Sequence, residues 1–189
     1  MKKILLMLAM VFAVAFNLAA EDGEWFASKM PEILIKSSGK TVDTQLALKG
    51  KMVAFYFSAS WCGPCRSFTP TLVKFYKKAA RKKNVEIVFV SSDKTEEAMK
   101  TYMKKMPWTA IAFNDKERTA FQKEMKVNGI PRLIVFDENG KIISKNARWD
   151  VMVLGSKAVE AWKSADYKPK TPQDYKAKSG KKSKKKSKK

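Results

Sequence analysis

Histidine is missing from this 189-residue chain, and cysteine occurs only twice. The first absence removes Ser-His-Asp and Cys-His nucleophilic machinery and every histidine-ligated metal site. The second leaves no four-sulfur ligand set for zinc, so neither a metal nor another cofactor is expected. Acid is scarce as well: 18 Asp and Glu stand against 39 Lys and Arg, a formal charge of +21. No P-loop or dinucleotide fingerprint occurs among the eight glycines. A 45% hydrophobic share over this length fits one domain with a single sizeable core plus extensions.

What is there centres on Trp61-Cys62-Gly63-Pro64-Cys65-Arg66, where both cysteines sit at C-x-x-C spacing. The apolar run Met52 to Phe57 before them reads as one buried strand. After them Phe68, Leu72, Val73, Phe75 and Tyr76 recur near helical spacing. Cys62 is therefore expected at a helix N-terminus, where unpaired N–H groups and the helix dipole favour a thiolate. A free cysteine titrates near about 8.5, and the dipole supplies up to ~2 kcal/mol, enough for roughly one unit of depression. Cys65, one turn further in, is expected to be the more buried, resolving thiol. A purely structural disulfide across a two-residue gap would constrain little chain entropy. The pattern points to redox chemistry.

The stretch from Phe55 to Pro70, followed by Val90-Ser91-Ser92-Asp93, Met106-Pro107-Trp108 and Gly129-Ile130-Pro131, resembles the thioredoxin-like family. More narrowly it is similar to the nucleoredoxin and tryparedoxin branch, over about residues 48–145. Cys-Gly-Pro-Cys is the general thioredoxin insert, whereas that branch usually carries Cys-Pro-Pro-Cys. The resemblance implies an α/β thioredoxin fold, a central mixed β-sheet flanked by helices. It also implies a cis bond at Pro131 beside the cysteines, leaving the Ile130 backbone free to pair with an extended substrate. Tyr56 stands where ordinary thioredoxins carry a buried aspartate. With an unperturbed value near about 10 it is a poor base at neutral pH, and the simpler reading is core filling. Pro70 falls inside the active-site helix, removes the bond to the Arg66 carbonyl and predicts a kink.

Along the chain, Lys2 and Lys3, the apolar run Ile4 to Phe16 and Leu18-Ala19-Ala20 form a signal-peptide pattern over residues 1–20. Cleavage is expected, giving a bacterial periplasmic or secreted product; an uncleaved anchor is the alternative. Residues 21–167 are expected to form the thioredoxin-like domain. Within it the sequence predicts strands at 33–35, 85–90, 110–113 and 133–136 and a hairpin turning at 137–140. Helices are predicted at 117–126 and 151–162, and Asp93-Lys94-Thr95-Glu96 has capping-box spacing for another. Its stripe of Met99, Tyr102, Met103 and Met106 reads as core. Alternation of strand and helix implies parallel strands joined by crossovers. Residues 168–189 read as a disordered lysine-rich tail, with nine lysines between 176 and 189.

The expected function is thiol–disulfide exchange by Cys62 and Cys65, in the reducing direction. Trp61, Pro64, Ile130 and Pro131 would receive the substrate, and Tyr56 and Arg66 could tune the thiols. The expected partner is a disulfide-containing protein; the electron donor is unassigned. The tail could meet an anionic membrane surface, and export argues against nucleic acid. An oxidase or isomerase of secreted proteins is the alternative within this chemistry. A non-catalytic polyanion-binding module is the alternative outside it.

Overall fold

The structure is a computed structural model and describes residues 24–114 and 116–178. The signal-peptide pattern at 1–20 and most of the lysine run lie outside the described residues.

The apolar runs do become the centre of a sheet. Strands β1 (Ile33–Ile35), β2 (Thr41–Asp43), β3 (Met52–Ser58), β4 (Val85–Ser91), β5 (Thr109–Ala110), β6 (Arg132–Phe136) and β7 (Ile142–Ser144) lie in the order β2-β1-β5-β4-β3-β6-β7. The β3–β4 and β4–β5 pairs are parallel; the β1, β6 and β7 pairings are antiparallel. The expected mixed sheet is thus present, with helices in the connections between the parallel strands.

Side-chain alternation then sorts the core into two layers. Met52, Ala54 and Tyr56 of β3, Val85, Ile87 and Phe89 of β4, and Leu133 and Val135 of β6 face one side. There they meet α3 (Gly63–Phe75), α4 (Glu96–Met103), α6 (Arg148–Leu154) and α7 (Ala158–Trp162). Val53, Phe55, Phe57, Val88, Val90, Ile134 and Phe136 face the other side. That layer packs on α1 (Glu24–Lys29), α2 (Thr44–Leu48) and α5 (Lys116–Glu124). Phe55 is its hub, within 6.2 Å of Phe26, 4.6 Å of Phe121 and 5.4 Å of Phe136 between ring centres. The methionine stripe of α4 is buried in the first layer, as its spacing predicts.

Three local differences from the sequence reading have physical causes. The short pieces β2 and α2 carry no long periodicity; Asp43 starts α2 by accepting from the Leu46 N–H at 2.8 Å. The cap of α4 is Thr95, whose Oγ1 accepts from the Ala98 N–H at 3.2 Å, and not Asp93. The closing helix breaks into α6 and α7 at Gly155, whose φ of +59° is open to glycine. The helical course of α3 does run through Pro70 to Phe75, as the apolar spacing predicts, and it continues as a π-helical turn at Tyr76–Ala80.

The chain beyond residue 167 is packed for longer than its composition predicts. Residues 172–178 form a helix, α8. The reason lies in Asp150, buried at the start of α6. Its carboxylate accepts from Ser144 Oγ at 3.3 Å, Trp162 Nε1 at 3.1 Å, the Tyr167 hydroxyl at 2.6 Å and the Lys170 N–H at 2.7 Å. Tyr175 then rests 5.8 Å from the Trp149 ring, and Lys178 Nζ donates to the Met152 and Val153 carbonyls at the end of α6. At the opposite terminus, Trp25 covers Gly140 of the β6–β7 turn. A Cβ at that glycine, whose φ is +79°, would lie 2.4 Å from Trp25 Cγ.

Candidate active site

The handover from β3 to α3 places the two cysteines at the end of the sheet. They form the Cys62–Cys65 disulfide, with Cα atoms 5.2 Å apart. Cys62 is the N-cap of α3, and its Sγ accepts from the Cys65 N–H at 3.2 Å. Gly63 and Pro64 fill the first helical positions, where a missing proline N–H costs no helix bond. The first turn carries no acidic side chain, so nothing there competes with an anion on Cys62. Cys62 is 6% exposed and Cys65 0%, the asymmetry expected of an attacking and a resolving sulfur.

The opposite wall comes from the loop before β6. The Ile130–Pro131 peptide bond is cis, and the Ile130 carbonyl oxygen lies 3.8 Å from Cys62 Sγ. In the disulfide form that sulfur has no proton to donate; only the reduced thiol could. Ile130 is half-buried against Cys62, Cys65 and Ala59. Pro131 is buried, so it supports Ile130 and presents little surface of its own. Trp61 is 55% exposed beside Pro64, which is exposed as well. The structure therefore seats Ile130 against the disulfide, while Trp61 and Pro64 are exposed positions flanking Cys62 in the chain and Pro131 is buried after its cis bond.

Trp61 is not loose. Its Nε1 donates to the Ser92 carbonyl at 3.2 Å. The loop preceding it is held by a residue to which the sequence reading gave no role at the site. Asp93 Oδ1 accepts from the Ser60 N–H at 2.8 Å and from Ser60 Oγ at 2.7 Å, while Oδ2 accepts from Ser91 Oγ at 2.8 Å. The signal is present in the sequence, an aspartate just past a buried strand end and within the family motif, but its spacing to Glu96 points to a helix cap. Arg66 closes the same loop from the helix side, with Nη1 donating to the Ser60 carbonyl at 2.9 Å.

Beneath Cys65 lies a hydroxyl network. Tyr56 is buried, and its hydroxyl reaches the Cys65 carbonyl at 3.3 Å and Thr69 Oγ1 at 2.9 Å. Thr69 Oγ1 donates to that carbonyl at 2.9 Å and lies 2.6 Å from the Tyr102 hydroxyl, which meets Ser58 Oγ at 3.2 Å. Burial first, then the neighbouring Tyr102, push the Tyr56 phenol far above its ordinary value. Tyr56 is thus a neutral hydroxyl that holds the second cysteine's backbone, and it also fills core. Among the described residues no group of three or more metal-ligating side chains converges. The geometry provides a slightly exposed cysteine at a helix N-terminus, a fully buried one a turn on, and Ile130 packed against both, an arrangement suited to thiol–disulfide exchange.

Comparison with known proteins agrees with this geometry. A family model described as thioredoxin-like matches residues 50–142. Probable nucleoredoxin 1 of Arabidopsis thaliana is 41% identical over 133 residues, 70% of this chain but 23% of that protein. The chain thus spans about a quarter of that relative's length. Tryparedoxin of Trypanosoma brucei brucei is 44% identical over 108 residues, covering 56% of this chain and 75% of the tryparedoxin. The solved structure of Trypanosoma brucei tryparedoxin superposes with a TM-score of 0.66 at 38% identity, covering 72% of this chain and 96% of the other.

Proposed function

The chain belongs to the thioredoxin-like family, and on that premise we propose that it is a thiol–disulfide oxidoreductase that reduces disulfides in protein substrates. One observation carries the reading: a disulfide whose partly accessible sulfur caps a helix while its partner is buried one turn on. In the reduced protein, the Cys62 thiolate attacks a substrate disulfide. A Cys62–substrate bond forms and one substrate thiolate leaves. Cys65, deprotonated, attacks Cys62 Sγ; the mixed disulfide breaks, the second substrate thiol leaves, and the Cys62–Cys65 bond forms. Two electrons pass from the dithiol to the substrate. Trp61, Pro64 and Ile130 form the rim on which the substrate lies, and Arg66 and Tyr56 tune the pair by fixing its backbone.

The direction rests on what surrounds the sulfurs. Gly63-Pro64 is the insert of reducing thioredoxins, and the chain has no histidine with which to over-stabilise the thiolate. Residues 1–20 support export to a periplasmic or extracellular space, where a reductant needs recharging by a membrane-embedded donor. The terminal lysines would attract anionic lipid at about 1 kcal/mol each near the surface.

Insulin-disulfide reduction tests the activity, with Cys62→Ser as the inactive control. Equilibration in glutathione buffers tests the direction. A potential near that of protein disulfide isomerase, or more oxidising, would replace the reductase by an oxidase or isomerase.

A further inference from the structure

A cavity of about 700 Å³ opens at the end of the sheet remote from the cysteines. Val85 begins β4, Thr109 begins β5 and Lys51 precedes β3, whereas Cys62 follows the far end of β3. The cavity is therefore separate from the redox site by the length of the central strands.

Its charge is one-sided. Lys36, Lys51, Lys77 and Arg81 line it against a single carboxylate, Glu86. Glu86 is already occupied: Oε1 accepts from the Tyr76 hydroxyl at 2.8 Å and the Ile87 N–H at 3.0 Å, and Lys51 Nζ lies 4.0 Å from Oε2. Burial, then Glu86, hold the Tyr76 phenol neutral, so it donates a hydrogen bond and offsets none of the positive charge. Lys36, Lys77 and Arg81 form none of the ion pairs found among the described residues.

The inner wall adds an independent observation. Trp108 and Thr109 line the cavity and are 3% and 8% exposed, yet Trp108 Nε1 and Thr109 Oγ1 have no hydrogen-bond partner. Both atoms are closed to solvent, so they make this wall polar beneath its surface, while the groups open to a ligand are the cations. The volume suits a small molecule. A single negative charge would leave most of the cations uncompensated, whereas clustered phosphates match lysine and arginine in charge and in acceptor number.

We propose that this cavity binds a phosphate-bearing polyanion, either a soluble oligophosphate or the head group of an anionic lipid, held by Lys36, Lys77 and Arg81. The site is independent of disulfide exchange and is read without measuring it.

The test follows the indole N–H resonance of Trp108 in the ¹⁵N-labelled full-length protein as inorganic tripolyphosphate, or separately dihexanoyl phosphatidylinositol bisphosphate, is added. Binding to the lysine tail alone would leave this resonance in place. Saturable movement is expected, with affinity reduced about tenfold or more in the Lys77→Gln, Arg81→Gln double variant. The Lys123→Gln, Lys141→Gln double variant removes the same charge elsewhere and should bind within about twofold of the parent. Movement with tripolyphosphate assigns a soluble ligand; movement with the phosphatidylinositol bisphosphate alone assigns a lipid head group. A resonance unmoved by both, or two double variants equally weakened, overturns the site. The same spectra show that each variant is folded.

Discussion

The Tyr56 hydroxyl lies 3.3 Å from the carbonyl of Cys65, nine positions along the chain, so the central strand directly grips the backbone of the buried cysteine. The contact is made with a neutral group. A buried carboxylate there could take a proton from Cys65; the phenol, pushed up by burial, cannot do so at neutral pH. Whatever base assists the resolving step is not Tyr56.

Removing that hydroxyl should separate structure from proton transfer. Tyr56→Phe is expected to cost about 1 kcal/mol in urea unfolding, because one net hydrogen bond is lost and Thr69 keeps Tyr102. The pH profile of exchange between about pH 6 and 9 should keep its shape, since the phenol does not titrate there. A profile that shifts in the variant would return Tyr56 to the proton path.

The phenols also set an alkaline limit. Tyr56, Tyr76 and Tyr167 are all raised, each first by burial. Above about pH 10 the unfolded chain releases phenolic protons that the native state retains, so stability falls as pH rises. Below that pH both states are protonated at these positions and the contribution is constant. Chemical denaturation at stepped pH should show the decline beginning near about pH 10 and becoming shallower in Tyr56→Phe.

Cys65→Ser should accumulate a stable mixed disulfide on Cys62, because the attacking sulfur survives and the resolving one is gone. Mass spectrometry of non-reduced complexes reads this. Better trapping by Cys62→Ser would reverse the two roles.

Asp93→Ala should lower stability by about 2–4 kcal/mol, since it leaves the Ser60 N–H and the Ser91 hydroxyl without their acceptor. Exchange should also slow while the protein is still folded, because Ser60 and Trp61 lose their fixed position. Unchanged kinetics in the folded variant would reduce Asp93 to a purely structural anchor.

Truncation separates the part of the C-terminal extension that meets Asp150 from the lysine run after residue 178. Deleting 179–189 should leave thermal unfolding and exchange with a neutral substrate unchanged. Deleting 167–189 should lower stability by about 2–4 kcal/mol, because Asp150 keeps its burial and loses Tyr167 and Lys170. Equal melting temperatures for the two truncations would show that the Asp150 contacts contribute nothing measurable.

Much of this molecule was legible in its sequence because period and punctuation agree. The β3 run, the α3 stripe and the methionines of α4 each satisfy one geometry, and the structure uses them so. Cys62 and Cys65 were legible for the same reason: strand, C-x-x-C and helix leave one place for them. What escaped depends on distant partners. Asp93 has capping spacing along the chain, but Ser60, 33 positions away, takes its carboxylate. Residues 168–178 look solvated by composition, and only the buried Asp150, reached through folding, shows why Tyr167 and Lys170 are held. The basic cavity draws Lys36, Lys77 and Arg81 from separate segments, which no local pattern joins.

The seating of Trp25 over Gly140 couples two positions that are 115 residues apart. A side chain at 140 meets the indole before it meets solvent, and the backbone there already has a φ of +79°. Substitution at 140 is therefore not an independent event: it becomes tolerable only alongside a smaller residue at 25, and even then asparagine or aspartate is the best replacement for this backbone. A homologue that has lost the tryptophan could carry asparagine or aspartate at 140; one that keeps it is bound to glycine. Comparing position 25 with position 140 across relatives would display that covariation without any measurement on this protein.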